Sequence, residues 1–201
     1  MIFVRDKGRM CNNILQYGHL YAWARANNRK TVSMRFAYKY QYFHICRTRW
    51  HNFFVYLFAK YAAQLKLIPT VTFDTPDEDL TEKENAMRRG CLVAEGWFAR
   101  WYDLFLQYKP EILSLFAFDS HIENKVTSLL ETSSKEGIIR LGVHIRRGDY
   151  ATWNDGRFLY DDKQMINIIR QFILLHPNKR VVIYICGNDP KLNKQAYSEA
   201  F

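Results

Sequence analysis

Runs of apolar residues, broken by turn-forming clusters, set the outline of the chain. Ile2-Phe3-Val4 reads as a short buried strand, and Asp6-Lys7-Gly8-Arg9 as a turn. A helix follows, capped by Asn12 or Asn13, with Ile14, Leu15, Tyr17, Leu20, Tyr21 and Trp23 among its apolar positions. Asn27-Asn28 ends it, and Thr31 to Met34 reads as a second strand. Strand, loop, helix, strand is the usual opening of an α/β domain.

The segment from Phe53 to Leu67 has apolar residues on most sides, with Lys60, Gln64 and Lys66 on one. It is expected to be a helix packed mostly inside. The alternative is an amphipathic helix on a membrane surface, whose polar face is normally rich in Lys and Arg. Thr70 to Phe73 reads as a strand, and Thr75-Pro76-Asp77-Glu78 as the start of a polar helix, with a cap residue and a proline at the first position. Leu92-Val93 is another short strand. Residues 101–118 are helical in part, interrupted or restarted at Pro110. Ser120-His121-Ile122-Glu123 matches a capping box, before a helix with Ile122, Val126, Leu129 and Leu130 on one face.

Ser133-Ser134-Lys135-Glu136-Gly137 is the best domain boundary, giving domains at 1–136 and 137–201. Beyond it the pattern sharpens. Ile138 to Ile145 is a strand, 148–160 a long loop, and Asp161 or Asp162 caps a helix with Met165, Ile166, Ile169, Phe172 and Ile173 on its inner face. Val181 to Cys186 has the apolar character of a buried parallel strand, with Gly187-Asn188-Asp189-Pro190 as its exit loop. A last helix starts near Pro190. The second sheet looks unfinished, so another subunit or a longer chain is expected to complete it, and a partner copy is one candidate cover for its apolar edges.

Composition narrows the class of function. The chain has 201 residues and a formal net charge of +9, with basic residues scattered in clusters at Arg25–Arg35, Arg47–Arg49 and Arg146–Arg147. Such a charge suits a nucleic acid, an anionic membrane surface or a phosphorylated substrate, but scatter weakens the nucleic-acid reading, which needs a continuous stripe. Cys11, Cys46, Cys91 and Cys186 include no CxxC pair, so no zinc clamp or redox centre is indicated, and they are expected to be reduced in the cytosol, with Cys186 buried. Arg5 comes too early for a secretory signal peptide. No apolar run approaches the ~20 residues of a bilayer span. Neither GxxxxGK nor GxGxxG occurs, and no histidine has metal-ligand spacing.

Three loops carry chemistry. The first is His144-Ile145-Arg146-Arg147-Gly148-Asp149-Tyr150, at the end of a strand, where ligands of open α/β sheets bind. Adjacent guanidiniums call for an anion or carboxylate, and arginine's planar fork suits phosphate oxygens. Asp149 can hold an arginine or orient His144, and Gly148 lets backbone pass close to a ligand. The plainer reading is a surface pair with a local salt bridge. The second is Gly8-Arg9-Met10-Cys11-Asn12-Asn13, a donor-rich helix start that suits an anion or a sugar hydroxyl, or simply a capped helix. The third is Gly187-Asn188-Asp189, which touches a ligand or caps the next helix.

These pieces, with one more, recur in order in a known family. Gly8 to Tyr17 resembles the "GRLGNQMFQY" block of bacterial and animal α-1,2-fucosyltransferases, with Cys11 at its second glycine and Asn13 at its first glutamine. Glu95-Gly96-Trp97-Phe98-Ala99-Arg100-Trp101-Tyr102 is similar to the family's "GYFQSWKYF" block, Val143 to Tyr150 matches "VHIRRGDY" in full, and Cys186-Gly187-Asn188-Asp189 falls at "FSDD".

The resemblance implies a GT-B-like α/β fold of two Rossmann-like parallel-sheet domains, the second incomplete because the chain is short at its C-terminus. It implies an inverting transferase that takes fucose from GDP-fucose to the 2-OH of a galactose-containing glycan, with no metal or other cofactor. Arg146 would meet the β-phosphate, as the principal catalytic group with His144 and Asp149. His144 and Arg147 would line the same pocket, Asp149 would orient the arginines, and the paired guanidiniums would face a groove between the domains. Gly8, Arg9 and Asn12 would reach the donor from the first domain, and Asp189 would sit near the nucleotide edge. The partners are then a nucleotide sugar and a glycan acceptor, with no nucleic acid, in the cytoplasm or at the inner face of the membrane with peripheral contact. A non-catalytic or truncated nucleotide-sugar-binding relative, and a basic nucleic-acid-binding module, stay open as alternatives.

Overall fold

The computed structural model describes residues 1–76, 79–131 and 137–201. The chain divides into two compact units, Met1–Asn124 and Lys125–Phe201. Most of the expected boundary segment, Ser133 to Glu136, lies outside the described residues, as do Asp77 and Glu78 of the expected polar-helix start.

The first unit holds a four-stranded, all-parallel sheet in the order β2 (Thr31–Ser33), β1 (Ile2–Arg5), β4 (Leu92–Glu95), β3 (Thr70–Thr72). Period-two alternation sorts its side chains into two layers. Ile2, Val4, Leu92 and Ala94 pack beneath α1 (Met10–Ala26), against Tyr17, Leu20 and Trp23. Phe3, Val32 and Val93 face the other way and meet Ala59, Val55 and Ala63 of α2 (Phe53–Gln64). Coverage of both faces is what a parallel sheet requires. Helices α3 (Thr81–Arg88), α4 (Tyr102–Gln107) and α5 (Lys109–Leu115) complete the unit, with Pro110 in the first turn of α5.

Two expectations change here. α1 begins at Met10, so Asn12 and Asn13 lie within its first turn and neither caps it; Arg9 holds the cap position, and its side chain makes no capping bond to the helix. The end is secured from further along by Gln16. Its Oε1 accepts from the Lys7 amide (3.2 Å), and its Nε2 donates to the carbonyls of Lys7 (2.7 Å) and Asn12 (3.0 Å). α2 is not packed mostly inside. Only Ala59 and Ala62 are buried, and Phe53, Phe54, Phe58 and Tyr61 are exposed, because the sheet layer beneath it accommodates small residues at closest approach.

α6 (Ser120–Glu131) contains the division between the units, and its expected inner-face residues Val126 and Leu129 are exposed. The second unit is built on two parallel strands, β5 (Ile138–Ile145) and β6 (Arg180–Gly187), in register from Ile138–Arg180 to Ile145–Gly187. The crossover helix α7 (Asp162–Leu174) is capped by Asp161 in a full capping box with Gln164, and buries Ile169 against Val143, Ile145 and Tyr197 of α8 (Lys194–Ala200). The α/β class and the smaller, incomplete second sheet match the sequence reading. β6 is half-exposed rather than buried, and Cys186 is exposed, because among the described residues β6 pairs only with β5.

Candidate functional site

The sequence-predicted loops of the second unit meet at the carboxyl ends of β5 and β6. Gly187 brings the strand ends together: a Cβ there would fall 2.4 Å from the Ile145 carbonyl oxygen. Asn188 then accepts from the Arg147 amide through Oδ1 (3.1 Å). Gly148, at φ +36°, runs so close that a Cβ would lie 3.1 Å from the Asn188 amide nitrogen. Backbone proximity at these two glycines fixes where the arginines start.

The two arginines then part company. The Arg147 guanidinium is consumed by its own protein: Nε donates to the Tyr160 carbonyl (2.9 Å), Nη1 to Asp189 (3.3 Å) and Nη2 to Asp162 (2.6 Å). Tyr197 donates its hydroxyl to the same Asp162 oxygen (2.9 Å). Arg147 holds the Asp162 carboxyl below its ordinary range, with a smaller contribution from Tyr197. Burial, then the Asp162 charge, pushes the Tyr197 phenol up to about 12. Asp189 also accepts from the Lys191 amide (2.8 Å). Arg147 and Asp189 thus form a clamp that ties both loops to the start of α7.

Arg146 has one edge engaged. Nη2 and Nε donate to the Asp149 carboxylate at 2.8 and 3.4 Å, and the guanidinium lies over the Tyr150 ring, 4.6 Å from its centroid. Its side chain is 33% exposed, and among the described residues no hydrogen bond engages Nη1. Arg146 and the exposed His144 line a cavity of about 450 Å³ with Ile145, Tyr150, Phe158, Tyr160 and Met165. That volume is within the range of small-molecule sites. An aromatic ladder continues from it, with Tyr150 stacked on Trp153 (5.3 Å) and Trp153 tilted against Phe158 (5.4 Å). Within this loop, between Trp153 and Phe158, Asn154 and Asp155 adopt left-handed backbone at φ 51° and 54°.

Of the residues the sequence singled out here, Arg146 and His144 line the cavity and Asp149 holds Arg146, whereas Arg147 and Asp189 bind each other and are not among its lining residues. Sequence reading did not find Trp153, Phe158, Tyr160 or Asp162. The aromatic residues recurring after the arginine block were a usable signal. Asp162 was hidden by its neighbour, since either aspartate reads equally well as a cap.

Gly8, Arg9 and Asn12 belong to the first unit, at the start of α1. Gly8 has φ +88°, and a Cβ on it would meet the Asn12 amide at 2.8 Å, so the loop folds tightly over exposed Asn12. Asn13 is fully buried, with neither side-chain polar atom hydrogen-bonded. A second cavity, of about 330 Å³, opens at the carboxyl ends of β1 and β2 and is lined by Arg5, Asp6, Arg35, Tyr38, Tyr56 and Lys60, among others. Asp6 is 2% exposed; it accepts from the Ser33 hydroxyl (2.8 Å) and the Arg35 amide (3.3 Å). Burial raises its carboxyl to about 6. His51 Nε2 accepts from the Ser33 amide (2.9 Å), which leaves Nδ1 to bond the Thr48 hydroxyl (2.6 Å), and burial lowers this imidazole to about 4.

Among the described residues no group of three or more His, Cys, Asp or Glu side chains could hold a metal ion, and no helix is long and apolar enough to cross a membrane. No protein-family model matches the chain, and neither does any curated protein sequence. Solved structures do. NodZ α-1,6-fucosyltransferase soaked with GDP-fucose aligns over 99% of this chain and 75% of its own, with a TM-score of 0.50 and 12% identity. POFUT1 in complex with GDP aligns over 99% and 81%, with a TM-score of 0.52 and 12% identity. At such identities the likeness speaks for the backbone alone: the chain has a GT-B-like fold related to that of fucosyltransferases, and the α-1,2 family whose motifs it resembles is not reached by a sequence match.

Proposed function

We propose that this chain binds GDP-fucose through the second unit and is an inverting fucosyltransferase acting on the 2-OH of a galactose-containing glycan. The observation that carries the reading is Arg146: a guanidinium at a parallel strand end, held along one edge by Asp149 and against Tyr150, on the wall of a cavity of ligand size. NodZ and POFUT1, whose folds it shares, were solved with GDP-fucose and GDP.

Departure of GDP from the sugar builds negative charge on the β-phosphate. A guanidinium already oriented by Asp149 meets that charge without reorganising, which is electrostatic preorganisation. Arg147 serves as a positioning residue, its donors spent on Asp162, Asp189 and Tyr160. Phe158 and Tyr160, which line the cavity with Arg146, offer rings for the base to stack on. In the first unit, the cavity at the ends of β1 and β2 offers the rings of Tyr38 and Tyr56 to the acceptor sugar. Asn12, with Gly8 and Arg9, supplies donors to the sugar nucleotide.

Calorimetry tests the reading. GDP binds more tightly than GMP, and Arg146→Ala weakens GDP by about 10- to 100-fold, the loss of a charge-assisted contact of ~1.5–3 kcal/mol. Binding of single-stranded RNA without GDP would overturn it. Release of fucose from GDP-fucose and transfer to lactose then separate a transferase from a relative that binds without turnover.

A further inference from the structure

The outward face of α2 has no use in the chemistry above. Phe54, Phe58, Tyr61 and Leu65 recur at i, i+4, i+7 and i+11, a single stripe along the helix. The stripe is exposed, at 81%, 60%, 52% and 69%, with Phe58 also meeting buried Phe3 edge to face, while the opposite face buries Ala59 and Ala62 over the sheet. Phe53 before the stripe and Leu67 beyond it are exposed as well. Four large apolar side chains in line, with no charge among them, form a contiguous patch of the kind that marks an interaction site.

We propose that this face of α2 docks on an anionic lipid bilayer, with the helix lying in the interfacial plane. Charge selects this occupant. Arg49 stands just before α2, Lys60 within it and Lys66 just beyond it, none in an ion pair with an acid among the described residues, and residues 35–73 carry no acid. A second copy docked face to face would bring these like charges together, whereas anionic headgroups are attracted to each of them. The aromatic side chains suit the interface further. The Arg49 guanidinium lies over the half-exposed Trp50 ring (4.8 Å) and the Lys60 ammonium over Tyr61 (5.4 Å), cation and ring side by side, as headgroup and acyl boundary are. Twelve residues are too few to span the hydrocarbon, so the helix lies on the surface. This docking does not depend on the transferase reading.

Sedimentation of the full chain with vesicles tests it. The chain pellets with vesicles of two parts phosphatidylcholine to one part phosphatidylglycerol, does not pellet with phosphatidylcholine alone, and is released as salt rises from about 0.1 M to 0.5 M. Phe54→Ser with Phe58→Ser lowers the partition coefficient at least ~10-fold. Arg49→Gln with Lys66→Gln lowers it and flattens the salt dependence. All four substitutions are at exposed positions; because Phe58 also meets Phe3, binding is compared at a temperature where thermal melts show every variant folded. Failure to bind the anionic vesicles, binding unchanged by the phenylalanine substitutions, or a concentration-dependent dimer dissolved by them would each overturn the proposal.

Discussion

Arg146 and Arg147 are chemically identical neighbours, yet the peptide between them turns one toward a cavity and the other into a cage of carboxylates. What separates them is the supply of acceptors: Asp162, Asp189 and a carbonyl surround one, and Asp149 alone faces the other. Local pairing at the arginine block was legible in the sequence, because Asp149 is three residues away. The cage was not, because its members come from loops 15 and 42 residues distant. Asp6 raises a different residue-scale point. Its carboxyl sits near 6 when folded, against ~3.9 when unfolded, so its contribution to stability is full below ~pH 4 and is lost as pH rises through 6. His51 runs the other way: its contribution is present above ~pH 6.5 and is lost as pH falls through about 4. Asp6→Asn keeps an acceptor for the Arg35 amide and offers Ser33 a donor, without a charge to bury. The variant is therefore expected to be more stable than the parent at pH 7.5 by ~3 kcal/mol, and equal to it near pH 4. Thermal melts across that range check it, and a gap that widens toward acid would contradict the assignment.

Elements were readable where a helix or strand meets its core with one periodic face. β1, β2 and β4 and the crossover helix α7 fall where alternation and 3.6-residue spacing put them. α2 was misread because burial cannot be inferred from apolarity alone: a helix apolar on most sides is compatible with full burial and with an outward stripe, and only the sheet beneath it decides. The start of α1 was misread because a long-range hold by Gln16 took over the work of a cap. In the second unit, the closeness of β5 and β6 at their exits rests on Gly187. Gly187→Ala must push the Ile145 carbonyl away, and is expected to destabilise the unit by ~1–3 kcal/mol, the usual range for overpacking. Faster amide exchange along Ile138–Ile145 and Arg180–Gly187, with the strands β1 to β4 unchanged, is the expected result. Exchange that accelerates equally in both sheets would show that the two units do not respond separately.

At the scale of the whole molecule, two compact units divide the labour. Met1–Asn124 brings most of the positive charge outside the arginine block, and Lys125–Phe201 brings the guanidinium pair. If the second unit takes GDP, mass action stabilises that unit first. GDP at 100 times its dissociation constant is expected to raise its unfolding free energy by ~2.7 kcal/mol, read as slowed exchange in β5, β6 and α7. Protection confined to β1–β4 would move the nucleotide to the other unit. The α/β class and the uneven sizes of the sheets could be read from strand and helix periodicity. The cavity walls could not, because they depend on which loop side chains converge. The two-stranded sheet also has a bearing on how the protein keeps. Among the described residues, β5 and β6 pair only with each other, so the outer edge of each has no partner strand there. Neither strand contains a proline, and Arg140, His144 and Arg180 are the only basic groups along them. Concentrated stocks are thus primed to lengthen by strand addition, one molecule templating the next, and dilute storage will preserve the chain better than cold alone.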